Sequence, residues 1–223
     1  MTLRIWGRPN SIHTQRVLWT CAEAELPFEL TLASATMGPK GHISNGNAPY
    51  GVVDTPEYRA MNPNGTVPTM DDGGFVLWES NVIARYLAQK YAPGPLFGGS
   101  LATLGMASQW MEWTGARLEP MLHILVMELV RLTEDRRDAA RVAEACGTIR
   151  PWLQLLDRHL ADRPYVAGAA FTVGDIPPGA AVYRWFCFEQ GGPAMPHLEA
   201  WQARLSARAG FQRHIAPKGF HLA

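Results

Sequence analysis

Asn62 through Tyr91 read NPNGTVPTMDDGGFVLWESNVIARYLAQKY. Asn62-Pro63-Asn64-Gly65 is turn chemistry, Val67 to Met70 reads as a short strand, and Asp71-Asp72-Gly73-Gly74 is a tight connection into a second strand, Phe75 to Trp78. Glu79-Ser80-Asn81 then caps a helix whose buried stripe is expected at Val82, Ile83, Tyr86, Leu87 and Tyr91. Upstream, Thr2 to Trp6 is apolar and β-tolerant, and Gly7-Arg8-Pro9-Asn10 breaks it. After Ser11, Val17, Leu18, Cys21 and Ala22 recur at helical spacing, while Gln15, Arg16, Thr20 and Glu23 take the other face, and the helix ends near Leu26-Pro27. Phe28 to Ala33 reads as a strand parallel to the first through a right-handed crossover. Residues 34–53, SATMGPKGHISNGNAPYGVV, read as a long irregular loop, followed by a short helix from Thr55 to Met61. The unit is βαβ followed by ββα, a mixed four-stranded α/β sheet covered by helices.

Downstream, residues 92–99 carry five Pro or Gly in eight positions, which marks a linker. Residues 100–132, 136–162 and 173–189 each run at helical period, and Leu198, Trp201 and Leu205 continue it in a shorter piece. The organisation is therefore an α/β unit over 1–91, a linker over 92–99 and an all-helical unit over 100–223. Pro177 and Pro178 each remove a helical hydrogen bond, so the helix after Thr172 is expected to start bent or tight.

Composition narrows the function classes. The 223 residues carry 20 basic and 20 acidic side chains and are 47% apolar, which fits a chain with a core of its own. Residues 1–91 hold 7 basic and 8 acidic groups, leaving 13 and 12 for the rest. Neither half has the basic footprint that nucleic acid demands. No apolar run approaches the roughly 20 residues of a membrane span, and no signal peptide is read, so a cytoplasmic address is expected. Three widely spaced cysteines, Cys21, Cys146 and Cys187, form neither a disulfide framework nor a metal motif and are expected as reduced core thiols.

The string NPNGTVPTM ahead of the hairpin, LWESNVIARYLAQKY after it, the Pro/Gly linker and the helical unit containing Phe171-Thr172-Val173-Gly174-Asp175 together resemble the glutathione S-transferase superfamily, in its bacterial-type cytosolic, serine-type form. The resemblance spans the whole chain. It implies a thioredoxin-like N-terminal domain with a cis proline, glutathione as co-substrate without a metal, and a homodimer. The implied activity is conjugation of the glutathione thiolate to small hydrophobic electrophiles. A glutathione-dependent disulfide reductase or peroxidase, or a non-catalytic binding protein with the same fold, stands beside it.

Site residues follow from the same likeness, each beside a plainer reading. Pro68 on its own is an edge-strand proline; the resemblance makes it cis and has Val67 pair its main chain with the cysteinyl part of glutathione. Glu79 and Ser80 are either simple caps of their helix or the residues that take the ammonium and carboxylate of the γ-glutamyl group at a helix N-terminus. Ser11 is either an N-cap or the donor to the glutathione sulfur, with Asn10 and Thr14 as alternative donors. His13 reads as a surface helix residue rather than a base. Trp110, Trp113 and Arg117 share a helix face, which is either core or, as the resemblance implies, the wall of the electrophile pocket, with Ile12 facing it. Lys40 and His42 are candidates for the glycyl carboxylate by charge alone. Thr172 and Asp175 form a capping box with a structural role.

Overall fold

The computed structural model describes residues 2–34, 51–188 and 191–216. Lys40 and His42 lie outside them. The sheet holds β1 (Leu3–Gly7), β2 (Phe28–Ser34), β3 (Gly51–Val52), β4 (Thr69–Asp72) and β5 (Phe75–Trp78), in the order β3-β2-β1-β4-β5. β1 and β2 run parallel, while β4 is antiparallel to both β1 and β5. The four expected strands form, and the two-residue β3 joins the edge from the stretch read as an irregular loop. Two residues carry no periodicity, so nothing local announces that strand.

Alternation in β1 divides the sheet into two faces. Leu3 and Ile5 point into a cluster with Val17, Leu18 and Cys21 of α1 (Ile12–Glu23) and with Ile83 and Leu87 of α3 (Ser80–Tyr91). Trp6 points the other way, toward Ala33, Val53 and Tyr58 of α2 (Pro56–Met61). In α3 the buried apolar positions are Ile83, Ala84, Leu87 and Ala88, whereas Val82 and Tyr91, expected in the stripe, are exposed. α3 turns its small alanines toward the helical half, and this rotates the buried face away from Val82.

The second half comprises α4 (Leu101–Trp113), α5 (Glu119–Val126), α6 (Ala139–His159), α7 (Ile176–Cys187), α8 (Pro196–Ser206) and α9 (Ala209–His214). Wider π-helical turns at Thr114–Leu118 and Met127–Arg131 flank α5. α7 opens with a tight 3-10 turn, Val173–Asp175, as two prolines at its start require. The Thr172–Asp175 capping box closes there, and Asp175 also accepts from Val166 N and Trp201 Nε1, each at 2.9 Å. Gly174 sits so close to Ala107 that an added Cβ would meet its Cα at 2.6 Å, which explains a glycine at this point.

α1 is buried on both sides. Trp19 is wholly buried in the helical core against Phe171 and Phe211. Removing its roughly 200 Å² from water is worth on the order of 5 kcal/mol, an upper estimate. Gln15, Arg16 and Thr20, on the polar face opposite the apolar stripe, are buried too. The helical half covers them, and that partner comes from distant sequence. Among the cysteines Cys21 and Cys146 are buried as expected, but Cys187 is exposed.

Candidate functional site

The register of the sheet gathers the site. Trp6 of β1 lies opposite Thr69 of β4, which lies opposite Trp78 of β5. One step beyond that row, the chain leaves β1 into the turn at residues 8–11, enters β4 through Val67-Pro68, and leaves β5 into Glu79-Ser80. Three segments distant in sequence therefore share one end of the sheet.

Each segment is held differently. The Val67–Pro68 peptide is cis. The turn before it is pinned by Tyr58, whose hydroxyl donates to Thr66 O at 2.8 Å and lies 2.7 Å from Thr69 Oγ1. The buried Asn62 adds a bond from Nδ2 to Thr66 O at 3.0 Å. At the β5 end, Glu79 is the N-cap of α3 with φ of 71°, a left-handed conformation rare outside glycine. Its side chain does not cap the helix, and among the described residues the buried Ser80 hydroxyl has no hydrogen-bond partner. The first turn of α3 thus keeps its N–H groups for something else.

Ser11 is the N-cap of α1 in extended conformation, 6% exposed, and its main-chain N–H donates to Arg8 O at 3.0 Å. Its hydroxyl does not bond back to the first turn of the helix. The plain capping reading of Ser11 is therefore not the one the side chain adopts. Asn10 is tied down: its Oδ1 accepts from Arg8 Nη1 at 2.8 Å and its main-chain oxygen from Arg184 Nη2 of α7 at 3.1 Å. Thr14 is fully buried against Gly7, where a Cβ would meet its side chain at 2.5 Å. That contact turns Thr14 into the fold and away from the open side of the turn.

A cavity of about 340 Å³ opens beside Ser11. One wall is the turn itself, Arg8, Asn10, Ser11, Ile12 and His13; the other runs along α5 and the π turn after it, through Glu119, Leu122, His123, Val126, Met127 and Arg131, and Arg184 also lines it. Trp110, Trp113 and Arg117 do not line this cavity. Trp110 packs on Trp113 and on His159 of α6, and the Arg117 guanidinium lies over the Trp152 ring of α6. The wall comes from later turns of the same helical run, beyond the π turn at 114–118.

Charge here is organised around Glu119. Arg16, 1% exposed, pairs with Glu119 at 2.5 Å, and His13 Nδ1 lies 3.8 Å from the other carboxylate oxygen. Burial disfavours the Glu119 charge more than any single neighbour favours it, but the surrounding groups, Arg16 foremost and Arg184 with it, together hold the carboxyl below its usual range. His13 is open to the cavity on one side, yet desolvation by the surrounding protein, then Arg16, pushes its pKa down to about 4, so the ring is neutral near pH 7. Burial followed by Arg16 and Arg8 lowers Arg184 to about 9, still protonated at neutral pH. The cationic members of this wall were not singled out from the sequence, because each is identified by the partner it meets across the fold.

A family model described as "Glutathione S-transferase, N-terminal domain" matches residues 10–90. The chain is 33% identical over 215 residues to glutathione S-transferase GstB of Escherichia coli K12, covering 96% of this chain and 97% of that one. It is 30% identical to glutathione S-transferase 3 of Zea mays, with 96% and 93% covered. Among solved structures it is similar to the theta class glutathione S-transferase of Xanthomonas axonopodis pv. citri with glutathione bound, at 39% identity, a TM-score of 0.86 and coverage of 96% and 97%.

Proposed function

The chain belongs to the glutathione S-transferase superfamily, and on that premise we propose how its own residues carry the transfer of glutathione to an electrophile. It is an enzyme, and glutathione is its co-substrate. The γ-glutamyl end binds at Glu79 and Ser80, where the acidic side chain takes the ammonium and the Ser80 hydroxyl and first-turn amides take the carboxylate. Val67 pairs its main chain with the cysteinyl residue. The sulfur then lies at Ser11, whose hydroxyl donates to the thiolate. Once the thiol proton has left to solvent, a sulfur lone pair forms the S–C bond and the leaving group departs with its electron pair.

The energetic demand is modest. Lowering a thiol pKa from about 8.5 by about two units requires roughly 2.7 kcal/mol. One hydrogen bond to a charged group gives about 1.5–3 kcal/mol and a helix N-terminus roughly 0.3–1 kcal/mol. The observation that carries the reading is the Ser11 hydroxyl at the uncapped start of α1, beside an apolar-walled cavity and at the same sheet end as cis Pro68 and Ser80. Cys21 supplies no competing nucleophile, because burial pushes its thiol up to about 12.

The test is turnover of 1-chloro-2,4-dinitrobenzene with glutathione. Ser11→Ala should lower kcat at least tenfold while leaving glutathione affinity nearly intact, because the bond matters mainly to the ionised sulfur. Unchanged turnover in that variant would remove Ser11 from the mechanism. Faster turnover of hydroxyethyl disulfide than of the chloroarene by the parent enzyme would favour the reductase reading.

Three further statements belong to this proposal. The division into a glutathione-binding unit over 1–91 and a helical unit over 100–223 is supported by separate hydrophobic clusters under the sheet and among the helices. A homodimer of two 24.6 kDa chains, readable by sedimentation equilibrium, is supported by the exposed Phe75, Trp78 and Val82 along β5 and α3. A cytoplasmic address, which fractionation would check, is supported by glutathione chemistry and by free cysteines among the described residues; no described helix is long and apolar enough to cross a membrane.

A further inference from the structure

The cavity beside Ser11 has a charge pattern that an uncharged electrophile does not explain. Its body is apolar, with Ile12 on one wall and Leu122, Val126 and Met127 on the other. Into this lining come three guanidiniums, Arg8, Arg131 and Arg184, against one carboxylate, Glu119. That carboxylate is already engaged by the buried Arg16. His13 lies on the same wall and adds no positive charge at neutral pH. The cavity is thus apolar in shape and cationic in charge, although the chain as a whole is neutral.

Arg131 sets the direction. It stands at the end of the π turn that follows α5, is partly buried, and has no hydrogen bond or ion pair among the described residues. Burial alone lowers its pKa, with no acidic group offsetting it. The backbone around it is fixed, since the buried Glu128 of the same turn bonds Arg141 Nη1 and Asp138 N at the start of α6. A partly desolvated guanidinium carried on a braced turn and facing an apolar cavity is a fork for a planar anion.

Resting on the transferase reading above, we propose that the second substrate is an electrophile with an apolar body and a carboxylate, and that Arg131 is the specificity-determining residue that receives the carboxylate. The carboxylate does not react. It holds the electrophilic carbon toward the sulfur at Ser11, and the S–C bond forms as chloride or another leaving group departs with its electron pair.

The experiment compares 4-chloro-3,5-dinitrobenzoate with 4-chloro-3,5-dinitrobenzamide, which differ in charge and little in shape, each kcat/KM divided by the uncatalysed rate with glutathione. The parent enzyme should prefer the benzoate at least tenfold, and the preference should shrink as salt is raised. Arg131→Gln should collapse the ratio to within about threefold, and Arg131→Lys should keep part of it. Equal catalysis of the two compounds, or an Arg131→Gln variant that slows both in proportion, would overturn the proposal and assign the charge to the thiolate instead. Binding of the unreactive pair 3,5-dinitrobenzoate and 3,5-dinitrobenzamide, read by tryptophan quenching, gives the same ratio without turnover. A binding preference in an enzyme that fails to conjugate chlorodinitrobenzene would defeat the transfer reading and leave the anion site standing.

Discussion

Two groups of helix starts in this molecule look alike in sequence and behave differently. Thr55, Ser100 and Thr172 each stand before a helical turn and accept a hydrogen bond from it, from Tyr58 N at 3.2 Å, Thr103 N at 3.0 Å and Gly174 N at 3.2 Å. Ser11, the N-cap of α1, and Ser80, the first residue of α3 behind its N-cap Glu79, do not. An uncapped helix start leaves N–H donors and a positive dipole end unanswered, which costs stability unless something else fills the place. The two serines that forgo capping share the sheet end with cis Pro68, and the three that cap lie elsewhere. The hydroxyl that closes its own helix is structural; the one buried yet held open, as at Ser11 and Ser80, is available to a ligand.

The comparison breaks most visibly at the capped end. Asp175 is fully buried and accepts from Val166 N, Thr172 N and Trp201 Nε1, each at 2.9 Å. Asp175→Ala strands three buried donors and should cost about 3–5 kcal/mol in denaturant unfolding. The kcat of the protein that still folds should stay within about threefold. A loss below about 1 kcal/mol would mean that this box is no more important than an exposed cap. Ser80→Ala is the opposite case. It should raise the glutathione KM roughly tenfold, the effect of one bond to a carboxylate, while the unfolding midpoint moves little. A stability loss of about 1 kcal/mol with unchanged KM would return Ser80 to the capping class.

What the sequence made legible in these two groups follows from range. The capping box, the tight start of α7 and the hairpin from Thr69 to Trp78 depend on residues a few positions apart, and the chain announces them. Ser11 and Ser80 could be placed at helix starts from sequence, but their open hydroxyls could not, because capping and ligation use the same residue types. Arg16 could be placed only on the face opposite the apolar stripe of α1, because its partner, Glu119, belongs to the other half of the chain. Trp110, Trp113 and Arg117 do share a face, yet that face meets Trp152 and His159 of α6, and the cavity wall falls on Leu122, Val126 and Arg131 past a π turn. A single π turn adds a residue and rotates everything after it, which helical spacing cannot foresee.

The smallest effect concerns His13, the titratable ring nearest Ser11 in sequence. A histidine there could act as a base for the thiol, and its usual pKa near 6.5 would then print a limb on the pH profile. Desolvation and the neighbouring Arg16 push His13 down to about 4, so it is neutral across pH 5–8. kcat/KM should therefore rise with pH along one ionisation, that of the bound glutathione thiol, and then level. His13→Gln should change the rate less than about threefold and leave that limb in place. Ser11→Ala should instead move the limb upward by about one pH unit, because the lost hydrogen bond favoured the thiolate. A limb that vanished in His13→Gln would make the imidazole the proton acceptor and reduce the open Ser11 hydroxyl to a bystander.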